Sequence, residues 1–398
     1  MVHIKHLFIT LIFICSAGTL SFAQKGNAYW GEIAEGMSQA LIDNFWGASF
    51  EGHPERHYFN YKSNLADLTT EHYWPQAHAM DVIVDAYLRT GDKKYKSLYP
   101  LWWKGAPAHN FAGKMNSKDP WWNVYVDDME WMALTLIRMW ESTGKKLYIE
   151  KARQLYDDWI WTTWGPEDEA PWYGGITWKS DIEKSKNACS NGPAALIAAR
   201  LYRFHSRAKL KGDKKREAYL NEAVKIYNWE KNYLFDRKMG AVYDNMNKRG
   251  EINRSWIFTY NIGTFLGAAH ELFLITGDTQ YLDDAVLAAN YAINSMSNNK
   301  GVLDDAPHGD GGLFHGIFFR YFVKLINEES VNKATRMRFH SYLTNLAETM
   351  LNNGINRSTM LYAGRWWQAP SDKEIVSLTP HLSGCMLMEA MYTLKPIK

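Results

Sequence analysis

The joints between helical segments in this chain alternate between tight and long, and that rhythm constrains the fold more than any single motif. Hydrophobic periodicity near 3.6 predicts helices at approximately 26–47, 74–90, 92–103, 126–142, 145–162, 191–209, 213–231, 256–275, 278–295, 312–326, 330–352 and 381–393. Strand patterns are scarce. Tight joints recur as Thr90-Gly91-Asp92-Lys93-Lys94-Tyr95, Thr143-Gly144-Lys145-Lys146-Leu147-Tyr148 and Thr276-Gly277-Asp278-Thr279-Gln280-Tyr281, with Gly212-Asp213 and Asn327-Glu328-Glu329 as looser versions. A glycine at such a point takes positive φ at a helix C-terminus, and the Asp or Lys after it opens the next helix. Joints this short force antiparallel helical hairpins. Between them run the long links 48–73, 104–125, 163–190, 232–255, 296–311 and 353–380. Six hairpins with all long links on one rim, spaced by roughly 50–70 residues, predict a closed ring or an array.

Helix character favours the ring. Trp131-Met132-Ala133-Leu134-Thr135-Leu136-Ile137-Arg138-Met139-Trp140 is apolar nearly all round, as a helix of an inner layer must be. Its successor, 145–161, is amphipathic, with Lys146, Glu150, Arg153, Gln154 and Asp157 on the polar face. The expected fold is therefore all-α, an (α/α)6 barrel with its functional cleft on the long-link rim. An open helical array is the structural competitor.

Four Asp-Asp pairs occur, and their addresses differ. Asp157-Asp158 falls on the solvated face of an amphipathic helix, and Asp283-Asp284 in a first turn, where acids offset the helix dipole. Asp304-Asp305 lies in a long link beside Pro307, His308 and Gly309 and lacks aromatic neighbours. Asp127-Asp128 alone combines the long-link rim, flanking aromatics (Trp121, Trp122, Tyr125, Trp131) and the start of an apolar inner helix. The helix terminus favours an ionised carboxylate, while desolvation by aromatics raises a neighbour's pKa. Two close acids then titrate apart, one base-like and one acid-like, which is the pairing that glycoside hydrolysis uses. A solvated acid pair is the bland alternative. A magnesium motif of the Asp-Asp-x-x-Asp/Glu type fails, because the fifth position is Trp131. No metal or other cofactor is expected.

Composition bounds the partners. Lys and Arg number 45 against 43 Asp and Glu, so no basic field exists to hold nucleic acid or an anionic membrane. Eighteen Trp, 23 Tyr and 17 Phe give 15% aromatic residues while mean hydropathy stays at −0.39, a balance suited to stacking on the apolar faces of sugar rings. Lys5, the apolar run 7–15 and Ser21-Phe22-Ala23 read as a signal peptide, 1–23, with cleavage between Ala23 and Gln24. Bulky Ile14 argues against lipid attachment at Cys15, so the product is expected to be secreted or periplasmic. No later apolar run reaches the length of a membrane span. Residues 24–398 are then one catalytic domain, expected to act as a monomer, whose Cys189 and Cys385 read as isolated buried thiols.

Several segments resemble glycoside hydrolase family 76, the endo-α-1,6-mannanases. Besides the Asp pair, Trp172-Tyr173-Gly174-Gly175-Ile176-Thr177-Trp178 is similar to the family's Gly-Gly-Ile-x-Trp segment. Lys186-Asn187-Ala188-Cys189-Ser190-Asn191-Gly192 is similar to its Lys-Asn…Asn-Gly stretch. Gly240-Ala241-Val242-Tyr243-Asp244, Thr259-Tyr260-Asn261 and Phe314-His315-Gly316-Ile317-Phe318-Phe319-Arg320 match further segments, in order, from about Trp46 to Cys385. The resemblance implies a retaining endo-α-1,6-mannanase with a mannan backbone or manno-oligosaccharide substrate. It makes Asp127 the nucleophile and Asp128 the general acid/base, with Trp131 packed behind them. Trp131, Trp178, Asn187, Asn191, Asp244, Tyr260 and Asn261 are the candidate substrate-binding residues. Two positions depart from the family pattern: Ile262 stands where Gln is common, and His315 where Lys is common, both expected near the cleft. A non-catalytic glycan-binding protein, or a transglycosidase, on the same scaffold is the alternative.

Overall fold

The computed structural model describes residues 26–47, 58–59, 73–108, 110, 119–180, 184–210 and 215–397. The signal-peptide reading, its cleavage point, Cys15 and the Gly212-Asp213 joint lie outside them. Among the described residues no helix is long and apolar enough to cross a membrane.

Six helices form the inner layer: α2 (Tyr73–Thr90), α5 (Val126–Thr143), α7 (Ala188–Ala208), α9 (Thr259–Thr276), α11 (Gly311–Asn327) and α13 (Leu378–Thr393). Each packs on the next, and α13 packs back on α2, so the ring closes and the array alternative falls. The sequence shows why these are the inner ones. In α13 every residue from Leu378 to Met391 is buried, so no polar face is left for water. The outer α8 (Arg216–Tyr233) buries only a stripe, including Tyr219, Ala223, Ile226 and Trp229. The other outer elements are α1 (Asn27–Phe45), α3 (Lys93–Ser97) with α4 (Tyr99–Ala108), α6 (Lys146–Leu155), α10 (Gln280–Ser295) and α12 (Lys333–Thr349). Inner neighbours approach closely near the cleft end, where a Cβ on Gly263 would meet the Phe318 backbone at 2.8 Å.

The tight joints behave as expected. Gly91, Gly144 and Gly277 are left-handed, and their N–H groups donate to Tyr87, Trp140 and Phe273 carbonyls at 2.7–2.8 Å. Among the described residues, however, five hairpins are made by consecutive helices. The sixth joins the two chain ends: α1 packs on α13, and Asn27 Nδ2 donates to Tyr392 O at 2.7 Å. Arg89 of α2 clasps this seam, reaching Glu35 of α1 at 3.0 Å and Glu389 of α13 at 3.1 Å.

Several boundaries shift for local reasons. The segment expected at 92–103 breaks at Leu98, because Pro100 has no N–H to continue the first helix. Helix α7 starts at Ala188 rather than 191, its first N–H held by Asp244 O at 2.8 Å, and α13 starts at Leu378 rather than 381. Residues 256–258 are extended, since Asp244 N donates to Trp256 O and Tyr243 bridges Ile257, so α9 begins at Thr259. Two outer helices end in a π-turn, Tyr156–Ile160 and Met350–Gly354, which 3.6-residue periodicity cannot reveal. The long links are not structureless: Lys186–Asn187 pairs antiparallel with Asn245–Met246, and Trp46–Gly47 with Tyr58–Phe59.

Three Asp-Asp pairs have structural duties, some beyond those expected. Asp284 is buried rather than a solvated dipole partner; it joins α10 to α8 through Lys231 and the Tyr227 hydroxyl at 2.9 Å. Asp157 pairs with Arg153 at 3.1 Å and accepts from the Tyr219 hydroxyl at 2.9 Å. Asp305 accepts the Trp366 N–H at 2.9 Å and so fastens one long link to another.

Candidate active site

The approach to α5 is pinned before the acids are reached. Asn123 Oδ1 accepts from Tyr125 N at 2.9 Å, and Asn123 Nδ2 donates to Asn110 Oδ1 at 3.0 Å. Residues 124–126 then run antiparallel to 178–180, with Val126 N on Trp178 O and Ser180 N on Val124 O, both at 2.8 Å. Trp178 N donates in turn to Ser185 O at 2.9 Å. These rim contacts set Asp127 and Asp128 in the first turn of α5 with no side-chain cap competing for its free N–H groups.

Both carboxylates are half-buried, and burial dominates their titration. Burial pushes Asp127 up to about 7, opposed by the Cys189 thiol, the Trp178 side chain and the first backbone N–H groups of the helix. Asp128 is raised well above the usual carboxylate range by burial first, then by the charges of Asp127 and Asp310, with nothing pulling it back. Asp310, the residue before α11, is held by Trp74 Nε1 at 3.1 Å. The pair therefore shares its protons unequally: Asp127 ionises first, and its charge keeps Asp128 protonated.

The floor is aromatic. Trp131 is buried behind the pair and packs on His78 (ring centroids 4.9 Å apart) and Trp74 (6.3 Å). Burial drives His78 down to about 3, so it is a neutral ring there. Cys189 and Trp178, which face Asp127, also wall a cavity of about 610 Å³ shared with Asn187, Asp244, Trp256, Phe258 and Tyr260. Tyr260 stacks on Phe314 at 4.0 Å. Trp256 is 53% exposed, an aromatic face open to solvent at the cleft wall.

The expected substrate contacts divide. Trp178, Asn187, Asp244 and Tyr260 line the cleft. Asn191 does not: it is fully buried, and its amide is spent on Ile176 N and O and on Asn187 O at 2.8–3.1 Å. Asn261 is also fully buried and donates to Asp244 Oδ1 at 2.9 Å, positioning that carboxylate from behind. Of the two departures from the family pattern, Ile262 is fully buried in the core rather than in the cleft. His315 ties the rim together, with Nδ1 on Thr259 Oγ1 at 2.9 Å and Nε2 on Asp304 O at 3.0 Å. Cys189 and Cys385 are both free and buried. Sequence reasoning missed Trp74, His78, Cys189, Trp256, Phe258, Phe314 and Asp310, which come from other hairpins. It also missed Glu130 and Glu230, fully buried carboxyls without hydrogen-bond partners among the described residues, both raised well above the ordinary range by burial.

The Gly-Gly-Ile-x-Trp segment now has a physical reason. Gly175 has φ of +80°, and a Cβ there would sit 2.6 Å from the Trp229 ring. Only glycine lets the chain pass between Trp229 and Asn191 and present Trp178 to Asp127. Gly175→Ala should cost about 3 kcal/mol, combining left-handed strain with overpacking, read as a lowered denaturant midpoint. A midpoint within error of the parent would contradict this packing.

A helical ring carrying an unequal acid pair at an inner helix N-terminus, in an aromatic cleft, is the architecture of a glycoside hydrolase on an (α/α)6 barrel. The family model described as Glycosyl hydrolase family 76 matches residues 29–396, and the chain belongs to that family. Among solved structures it is similar to an inactive variant of the α-1,6-mannanase GH76A of Salegentibacter sp. HEL1_6, with two consecutive aspartates changed to alanine, in complex with α-1,6-mannotetrose. The two are 35% identical over 92% of this chain and 99% of that one, with a TM-score of 0.79. The Lin0763 protein from Listeria innocua is 29% identical over 91% and 96% of the two chains, with a TM-score of 0.74. Dfg5 from Chaetomium thermophilum in complex with glucosamine, at 17% identity over 93% and 92%, shares the fold with a TM-score of 0.70. The search among curated proteins gave no match.

Proposed function

We propose that this chain is an exported, monomeric endo-α-1,6-mannanase that retains anomeric configuration. The observation that carries the reading is the asymmetry of the acid pair. Asp127 is faced by Cys189, Trp178 and backbone N–H groups, whereas Asp128 meets only burial and the charges of Asp127 and Asp310. An acid that ionises first is suited to attack, and one held protonated is suited to donate. In the first step an Asp127 oxygen bonds to the anomeric carbon as the glycosidic bond breaks, and the Asp128 proton passes to the departing oxygen. In the second, Asp128 takes a proton from water, the water oxygen bonds to the anomeric carbon, and Asp127 leaves with its electron pair. Two inversions give net retention.

The open aromatic walls suit an extended chain better than a single terminal sugar, which supports endo action. The Salegentibacter α-1,6-mannanase variant with both aspartates replaced is described as inactive, in keeping with a two-aspartate mechanism here. Digestion of debranched and native α-mannan should release short oligosaccharides from the debranched polymer, with the α-anomer appearing first by proton NMR. Binding without products would leave a glycan-binding protein, first appearance of the β-anomer would exclude a covalent intermediate, and transfer to added acceptor sugars would mark a transglycosidase.

A further inference from the structure

At the far end of the barrel axis from the cleft lies a second cavity, of about 210 Å³, walled chiefly by charged side chains. It sits between the last turns of the inner helices, beside Asn327 of α11 and Thr393 of α13. Arg138 lies eleven residues beyond Asp127 on α5, about 16 Å along the helix at 1.5 Å per residue. Nothing in the glycan chemistry uses this cavity.

Its walls bring together Arg138, Arg200, Arg320 and Lys324, with Asp85 and Glu389 as the acids. The acids are already committed. Asp85 is paired with Arg138 and Arg320, and Glu389 with Arg89 from the seam side. Glu271, behind the wall, takes the Arg200 Nε at 3.2 Å and is shared with Arg203. One guanidinium edge and one ammonium are left without a hydrogen-bond acceptor among the described residues. Arg200, with its side chain 4% exposed, has an Nη1 that is buried and makes no hydrogen bond among the described residues. The Lys324 ammonium meets no acceptor among the described residues and reaches only the Tyr321 ring, 5.7 Å away. Burial, and after it the charges of Arg200 and Arg138, pull Lys324 down to about 7, against the opposing charges of Glu271 and Glu141.

We propose that this cavity binds a small tetrahedral oxyanion of the phosphate or sulfate class. A buried guanidinium edge without an acceptor, beside a half-buried ammonium from a second inner helix, is costly unless something accepts from it. Guanidinium groups present N–H donors in a geometry matched to oxyanions, and the lysine adds a point charge. An oxyanion seated between Arg200 and Lys324 accepts from both and ties α7 to α11 across the axis.

The test is calorimetric titration of sodium phosphate, and separately of sodium sulfate, into the intact protein at matched ionic strength. One saturable site with Kd at or below about 1 mM is expected for at least one of the two, with little heat from chloride. Lys324→Gln removes the charge without orphaning an acceptor, so the fold should persist by circular dichroism, while affinity falls about tenfold or more. Saturating α-1,6-mannotriose should leave the anion Kd unchanged, because the two sites are separate. The proposal is overturned by absence of saturable binding of both anions, by equal affinity in the Gln variant, or by competition from mannotriose. Loss of mannanase activity in Asp127 variants bears only on the catalytic reading and leaves this test intact.

Discussion

Asp127→Asn should lower turnover of debranched α-1,6-mannan by roughly ten-thousand-fold or more, because loss of a nucleophile stops the reaction at its first covalent step. The wild-type enzyme should show the same dependence through pH. Asp127 is pushed up to about 7 and, as the proposed nucleophile, must be ionised to attack, so kcat/KM should fall about tenfold per unit as pH drops below that value. Stability should move the other way. A carboxyl whose folded pKa lies above its unfolded value binds more protons when folded, so it contributes less stability as pH rises from about 4 toward 7. The Asn variant removes that dependence and should be at least as stable as the parent at pH 8, which separates lost chemistry from lost fold. Turnover within tenfold of wild type would remove Asp127 from the role.

The second large effect is expected at Asp128. Asp128→Ala should lose about a thousandfold on mannan, within the usual range for a general acid. The loss should shrink to a small fraction of that on an aryl α-1,6-mannobioside whose phenol departs without a proton. The slow step then becomes hydrolysis of the glycosyl-enzyme, and added azide should replace water and form an α-glycosyl azide. Equal loss on both substrates, or an azide product of inverted configuration, would overturn the assignment. Asp310 bears on the same residue: its charge helps raise Asp128, so the alkaline limb of the wild-type profile depends on a side chain from another hairpin.

These effects concern residues that were legible in the sequence, and the reason is local. An Asp pair, its flanking aromatics and the apolar helix after it lie within twenty residues, as do the tight glycine joints that announce hairpins. Contacts assembled across hairpins left no such trace. Asn191 and Asn261 read as polar groups near the cleft, yet their amides hold Ile176 and Asp244 in place. Trp74, Phe314 and Asp310 sit at the starts of other inner helices, and they join Trp131, Tyr260 and Asp128 only when the ring is closed. The charges at the opposite end were equally hidden. Arg138 stood as a lone polar residue in an apolar helix, and its partners Asp81 and Asp85 lie more than fifty positions earlier. Single charges at helical spacing look the same whether they face water or a barrel axis.

The seam between the first and last helices changes the kind of object this protein is. A row of helical hairpins is quasi-one-dimensional, each unit leaning on its neighbours, and such rows can melt or grow piecemeal from either end. Once Asn27 holds the Tyr392 carbonyl and Arg89 grips Glu35 and Glu389, there is no terminal unit from which fraying can begin. Unfolding must first open the one joint that has no covalent link across it. The acid pair then rests on a frame whose rigidity is collective, closed by side chains where the two ends of the described chain meet.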